Sequence, residues 1–384
     1  MRPAIEQLPA SRIREVANAG IGRADVLAFW FGESDEVTPE VVREAAAASL
    51  QRGETFYSHN LGLAELRAAI AAYSAGLHPA VGVDRIAVTS SGVSALMIAM
   101  QMLAGAGDEV VAVVPVWPNL TAQPAILGAR VTRIGLRPDA SGRWRLDLDA
   151  LLAAVTPSTA VLLLNAPNNP SGWTLTAAEQ QALLAHCRRT GTWIVADEVY
   201  ERLWYGDGGV AAPSFLDLAH EEDRLVVAHS FSKSFLMTGW RLGWLVLPRG
   251  VADTAGKLLE FNSSCAPVFV QRGALAALAQ ADDFVPALVA RMRGCRDRLL
   301  DALQAMPGVT AGRPDGGMYA FFRIEGQADS LALAKRLVRE QGLGLAPGIA
   351  FGPEGEGWLR WCFASRDPAR LDAGVQRLAA ALAL

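Results

Sequence analysis

Several residues combine a reactive type with a strand-end position. Ser230-Phe231-Ser232-Lys233 follows an apolar run and precedes Thr238-Gly239-Trp240-Arg241-Leu242-Gly243, so the lysine and the arginine lie eight residues apart. Lysine attacks a carbonyl only as the free amine, well below its usual pKa of about 10.4. Only three lysines occur in the chain, Lys233, Lys257 and Lys335, so one at a strand end stands out. Asp197 directly follows the apolar run Trp193–Ala196, with Tyr200 three residues on. Asn165-Ala166-Pro167-Asn168-Asn169-Pro170-Ser171-Gly172 closes another run. Ser91-Gly92-Val93 opens a helix-like segment, and backbone N–H groups at a helix start, backed by a cation such as Arg241, suit a phosphate. Arg360 lies within Trp358-Leu359-Arg360-Trp361, where burying a guanidinium is costly without an anion beside it.

These residues need a scaffold, and the alternation of segments supplies one. Short apolar runs at Ile86–Ser90, Glu109–Pro115, Arg130–Ile134, Thr159–Asn165, Trp193–Ala196, Leu225–Ala228 and Trp244–Leu247 read as strands. Between them, Glu40–Arg52, Leu63–Ser74, Gly92–Leu103, Asp149–Val155 and Thr176–Thr190 read as helices, the last opened by a Thr176…Glu179 capping box. Near-continuous apolar strands predict an α/β fold, a mostly parallel sheet sandwiched by helices, followed by a smaller α+β domain. The expected division is an N-terminal segment 1–47 joining the small domain, a large domain 48–282 and a small C-terminal domain 283–384. In such sheets ligands bind at the carboxyl ends of strands, where the polar residues named above gather.

Composition removes several function classes. The 384 residues are 51% hydrophobic and 19% charged with a formal charge of -4, which excludes disorder and argues against a nucleic-acid footprint. Cys187, Cys265, Cys295 and Cys362 are far apart, without C-x-x-C, so thiols in a reducing compartment are expected. No apolar run reaches the roughly 18 residues of a membrane span, and a cytoplasmic location is expected. No metal is expected: His220-Glu221 lacks the H-E-x-x-H partner, and His59 and His229 read as loop and strand residues. Gly105-Ala106-Gly107 lacks the third glycine of a dinucleotide fingerprint. Ser230-Phe231-Ser232-Lys233 fits S-x-x-K, but the S-D-N and K-T-G companions of a serine hydrolase are missing.

The motif set resembles the fold-type I aminotransferases that use pyridoxal 5'-phosphate, the class I/II aspartate aminotransferase family. The resemblance runs from Ser11-Arg12-Ile13-Arg14-Glu15-Val16-Ala17 and Gly32-Glu33-Ser34-Asp35 to Leu359-Arg360-Trp361. It implies that Lys233 is the lysine that condenses with the cofactor aldehyde and then acts as general base. It implies that Asp197 faces the ring nitrogen, and that Tyr200 and Asn169 bond the ring hydroxyl. Ser91, Gly92, Val93, Ser230 and Arg241 resemble the phosphate cup, and Trp117 the aromatic that stacks on the ring. Tyr57 resembles the tyrosine reaching a neighbouring subunit's phosphate, which implies a homodimer with shared sites. Arg360 resembles the arginine that grips the substrate α-carboxylate. The substrates implied are an amino acid and a 2-oxo acid, in ping-pong order; a related C–S lyase, decarboxylase or amino acid oxidase shares these cofactor residues. A binding module without catalysis is the remaining reading, against which stand the intact cofactor positions.

The sequence departs from the family pattern at the substrate end. Trp30 and Ser34 replace a glycine and a proline in the segment Trp30-Phe31-Gly32-Glu33-Ser34-Asp35. Phe261 and Val93 stand where subgroups that take dicarboxylates carry an arginine or a lysine. Trp30, Phe261, Gly32, Asn169 and Arg360 are therefore expected around a neutral, apolar or aromatic substrate.

Overall fold

A computed structural model describes residues 1–382 apart from Gly208; the last two residues of the expected C-terminal segment lie outside the described ones. Seven strands build the main sheet: β1 (Ile86–Thr89), β2 (Glu109–Val114), β3 (Arg130–Gly135), β4 (Thr159–Asn165), β5 (Trp193–Asp197), β6 (Leu225–Ser230) and β7 (Gly243–Val246). Their spatial order is β1-β7-β6-β5-β4-β2-β3. All neighbours run parallel except β7, which is antiparallel to β1 and β6. Strands β4 to β7 are almost wholly buried, because helices cover both faces and leave no face for polar side chains.

Register sets the row of residues at one edge of this sheet. Gly243 pairs with Thr89 on one side and Ser230 on the other. Asp197 pairs with Ala228 and with Asn165. The ends of β1, β6, β5 and β4 therefore finish side by side, and the next residues of each chain segment enter one cleft.

A second sheet is built from β8 (Val309–Ala311), β9 (Tyr319–Ile324), β10 (Ala346–Pro347) and β11 (Trp358–Cys362), in the order β8-β9-β11-β10. The helix Ala281–Gln304 leads into it, burying Val285, Leu288, Met292, Cys295, Leu299 and Leu303 at three- and four-residue spacing. The N-terminal chain is tied to this sheet. Leu27–Ala28 pairs in parallel with Leu343–Gly344, and the Cys362 amide donates to the Phe29 carbonyl at 3.1 Å. The strap then crosses the mouth of the cleft. Asp35 accepts hydrogen bonds from Ser365 Oγ (2.7 Å), the Arg366 amide (2.6 Å) and Arg370 Nη1 (3.0 Å). Thr38 Oγ1 donates to the Leu236 carbonyl at 2.6 Å, which anchors the far end of the strap on the main-sheet side.

Most expected elements differ from the observed ones by a residue or two at their ends. Helices not anticipated include Asn119–Leu127, Ala252–Ser263 and Val268–Ala279, besides Arg12–Asn18 near the start of the chain. The first carries Pro124 inside it, and the third follows Pro267 and is largely buried, which masks amphipathic spacing. Among the described residues, no single helix is long and apolar enough to cross a membrane.

Candidate active site

A cavity of about 400 Å³ opens where the strand ends of the main sheet meet the second sheet and the strap. Lys233, Asp197, Tyr200, Asn169, Ser230, Gly92, Val93, Trp117, Arg241, Gly32 and Arg360 all border it. Residues from Gly32 to Arg360 thus converge on one space, as the strand-end argument requires.

Its inner end is built as an anion cup. Ser91 caps the helix Gly92–Leu103 by accepting from the Ser94 amide at 3.0 Å, with Ser91 itself in an uncommon backbone conformation (φ 148°). Gly92 has no room to spare: a Cβ there would lie 3.0 Å from Ser230 Cβ. Gly243 is tighter, since its Cβ would approach the Gly92 nitrogen to 2.6 Å. Ser230 Oγ accepts from the Ser232 amide at 3.1 Å. Arg241, in the left-handed region (φ 55°), bonds the Thr238 carbonyl at 2.6 Å and Ser232 Oγ at 3.4 Å. It has no carboxylate partner among the described residues, and burial presses its pKa downward. A guanidinium without a carboxylate partner beside a glycine helix start fits a phosphate group.

The floor carries two groups whose charges are unfavourable where they stand. Asp197 is buried, accepts only the Val199 amide at 3.4 Å, and is pushed up to about 7, chiefly by burial. A cationic ring nitrogen would relieve it. Lys233 is lowered to about 8, again chiefly by burial, and donates from Nζ to the Gly32 carbonyl at 2.6 Å. A lysine so placed is partly unprotonated near neutral pH, which an amine nucleophile requires. Tyr200 lies beside it, with Lys233 Nζ 5.6 Å from its ring centre. Asn169 Nδ2 is 3.5 Å from the Tyr200 hydroxyl, and the Asn169 amide donates to Asn165 Oδ1 at 2.7 Å. The Trp117 amide donates to the Asn169 carbonyl at 2.8 Å, joining the two loops; the Asn169–Pro170 peptide is cis.

At the opposite wall, Arg360 is 2% exposed. Its Nη1 donates to Asn169 Oδ1 at 2.8 Å and its Nη2 to the Trp30 carbonyl, while Nε has no partner. It rests over the rings of Tyr319 (4.4 Å) and Phe351 (4.8 Å). No carboxylate is paired with it among the described residues. Burying a guanidinium against rings and carbonyls alone is costly, and a ligand carboxylate is the missing counter-charge.

Trp30 and Phe261 lie away from this cavity. The Trp30 indole packs away from the cavity into the second-sheet side, where a Cβ at Gly20 would lie 2.6 Å from it; only its carbonyl reaches Arg360. Phe261 is 87% exposed, on the outer side of the helix Ala252–Ser263, two residues from buried Leu259 and so nearly opposite it. Tyr57 is 89% exposed and likewise outside the cavity of its own chain. Bordering residues outside the expected site set include Tyr319, Ile13, Arg14 and Leu96. The Gly316-Gly317 pair before an aromatic was an available signal for Tyr319; Ile13 and Arg14 lie in the Ser11–Ala17 segment that carries the resemblance, but no spacing in it pointed to a place in the site, because they arrive from a remote helix.

The acidic cluster Glu198, Glu201 and His229 lies buried behind the main sheet. Glu198 accepts from Ser214 Oγ and from the Phe215 amide, whereas neither ring nitrogen of His229 has a hydrogen-bond partner among the described residues. His78 bridges Asp217 (2.7 Å) and Glu201 (3.3 Å), and those carboxylates raise it to about 10 against the opposing effect of burial.

The donor set therefore fits pyridoxal phosphate: a phosphate cup, a buried carboxylate for the ring nitrogen, a depressed lysine for the aldehyde and an orphan arginine for a carboxylate. The known proteins that this chain is similar to agree. The profile of the family Aminotransferase class I and II matches residues 25–378. The aspartate aminotransferase of Thermotoga maritima is 32% identical over 370 residues, 94% of each chain. Aromatic-amino-acid aminotransferase 2 of Thermococcus litoralis is 30% identical over 94% of this chain and 93% of its own. A solved structure of a Thermus thermophilus aspartate aminotransferase variant superposes with a TM-score of 0.90 over 99% of both chains, at 29% identity. By its sequence profile, its fold and the chemistry of its cavity, the chain belongs to the class I and II aminotransferases, the fold-type I enzymes that depend on pyridoxal phosphate.

Proposed function

We propose that this aminotransferase moves an amino group from a neutral L-amino acid with an apolar or aromatic side chain to a 2-oxo acid, by a ping-pong mechanism. The observation that carries the substrate reading is the wall around Lys233, built from Ile13, Phe31, Val93, Leu96 and Trp117. A substrate carboxylate lying against that wall would be desolvated without a partner. The charged residues Arg14 and Glu33 border the cavity only at its exposed rim.

Pyridoxal phosphate, when bound, supplies the aldehyde and an electron-withdrawing ring. Ser230, Arg241 and the amides at Gly92 and Val93 hold its phosphate. Asp197 keeps a proton on the ring nitrogen, and Tyr200 with Asn169 donates toward the ring hydroxyl oxygen. Trp117, at the cavity wall, would stack against that ring. Arg360 fixes the substrate carboxylate by its planar fork, which aims the α-hydrogen toward Lys233. Lys233 Nζ then takes and returns that proton. The enzyme is read as a cytoplasmic homodimer, in which Tyr57 of each protomer completes the other's phosphate cup. The cofactor is assigned to the domain 48–282, with 1–47 and 283–384 forming the small domain.

The test is a donor panel on purified holoenzyme. Phenylalanine, methionine and leucine should each release one equivalent of oxo acid per site without an acceptor, and continue only when one is added. Good turnover of aspartate with none of these three would overturn the substrate reading. Intersecting rather than parallel double-reciprocal lines would overturn the ping-pong order.

A further inference from the structure

We propose that Tyr319 is a positioning residue that orients and polarises the Tyr200 hydroxyl, coupling the second sheet to the floor of the active site. The inference rests on the pyridoxal-phosphate reading of the cavity and extends it to a residue outside that set of roles.

Three contacts carry it. The Tyr319 hydroxyl is 2.8 Å from the Tyr200 hydroxyl, with both rings buried and nearly perpendicular (78°). The only other described polar partner of the Tyr200 hydroxyl is Asn169 Nδ2, at the longer distance of 3.5 Å. A phenol has one proton to donate. If Tyr200 gives its proton to a ligand oxygen, the proton in the pair must come from Tyr319. That arrangement makes Tyr200 a stronger donor, since hydrogen bonds in a chain polarise one another.

The ring of Tyr319 has a second task. It lies under Arg360 at 4.4 Å, and the two residues belong to neighbouring antiparallel strands, with Phe321 paired to Arg360 and Tyr319 paired to Cys362. The third contact is with the strap. A Cβ at Gly32 would overlap the Tyr319 hydroxyl, and the carbonyl of Gly32 accepts from Lys233 Nζ. Glycine at position 32 thus leaves room for the phenol while presenting its carbonyl to the lysine. The titratable and charged groups facing the pair are Arg360 and Cys362 on the second sheet, and Asp197 from the main sheet. Lys233 stands across the Tyr200 ring. Hydroxyl and ring can be separated by substitution, because Tyr319→Phe removes only the first.

The experiment compares Tyr319→Phe and Tyr319→Leu with wild-type holoenzyme, following the visible absorbance of the bound cofactor against pH alongside steady-state kinetics. A weaker donor at Tyr200 leaves more negative charge on the ring oxygen it faces, so a neighbouring proton is held more tightly. Tyr319→Phe should raise the absorbance midpoint by about one pH unit and lower kcat about tenfold, with KM for the amino acid little changed. Tyr319→Leu should also raise KM, because Arg360 loses one of the two rings it rests on. A Tyr319→Phe midpoint equal to wild type would overturn the proposal, as would a Tyr319→Phe loss seen only in KM. Wild-type protein showing no cofactor absorbance would instead sink the underlying reading of the site.

Discussion

Arg360 and Asn169 clasp across the cleft, Nη1 to Oδ1 at 2.8 Å, with no carboxylate among the described residues paired with the guanidinium to balance it. This asymmetry separates stability from function. Arg360→Met removes a buried, unpaired cation and keeps the hydrophobic volume. The cofactor-free variant should melt no lower than wild type, and up to a few degrees higher. The same change should raise KM for amino acids by about 10²-fold or more, because a buried charge pair with the substrate is lost. Calorimetry and initial rates check the two halves separately; a sharp drop in melting temperature would mark Arg360 as structural.

Lys233 is expected to be indispensable to chemistry and not to folding. Lys233→Ala should reduce turnover by about 10⁴-fold or more while the far-ultraviolet circular dichroism stays unchanged. The variant should bind cofactor reversibly, released on gel filtration, whereas wild type retains it.

Asp197 gives a pH signature. Its carboxyl is pushed from 3.8 up to about 7, so between those values the folded protein holds more protons than the unfolded chain. Stability of the cofactor-free protein from this group therefore falls as pH rises from about 4 to 7. Asp197→Asn removes the effect. The stability of the variant relative to wild type should climb through that window and level off above it, in urea titrations at fixed pH. Lys233 acts in the other direction and at higher pH: lowered from 10.5 to about 8, it adds stability as pH rises across that range. In the holoenzyme, Asp197→Asn should cost activity by orders of magnitude, because the counter-charge to the ring nitrogen is gone.

The cup predicts a difference between two ligands. Arg241→Ala should weaken pyridoxal phosphate by roughly 10²-fold in equilibrium dialysis and leave pyridoxal, which lacks the phosphate, nearly unaffected. Equal losses for both would mean that Arg241 supports the loop rather than the anion.

Much of this site was legible in sequence because its residues directly follow apolar strands. Asp197, Asn169 and Ser230 are announced by the runs they terminate, and parallel strands deliver such ends to one edge. The residues that escaped, or were misplaced, arrive by other routes. Tyr319 and Arg360 come from an antiparallel sheet, and only the buried charge of Arg360 draws attention to itself. Ile13 and Arg14 reach the cavity from a helix more than two hundred residues before Lys233 in the chain. Trp30 was misread because an aromatic in a pocket-lining segment looks the same whether its ring turns toward ligand or core; the glycines at 20 and 344, which make room for it, decide the matter. Phe261 stands on the exposed face of its helix, a face set by Ala255 and Leu259, and does not border the cavity of its own chain.

The strap offers the carbonyls of Trp30 and Gly32 to the two functional cations, Arg360 and Lys233 respectively. Only Phe31 separates these two anchorages. Whatever draws the guanidinium off its carbonyl slackens the same short ribbon that steadies the amine. Grip on one end of a substrate and freedom of the base at the other are thus communicated through a few ångströms of main chain, without any long-range rearrangement.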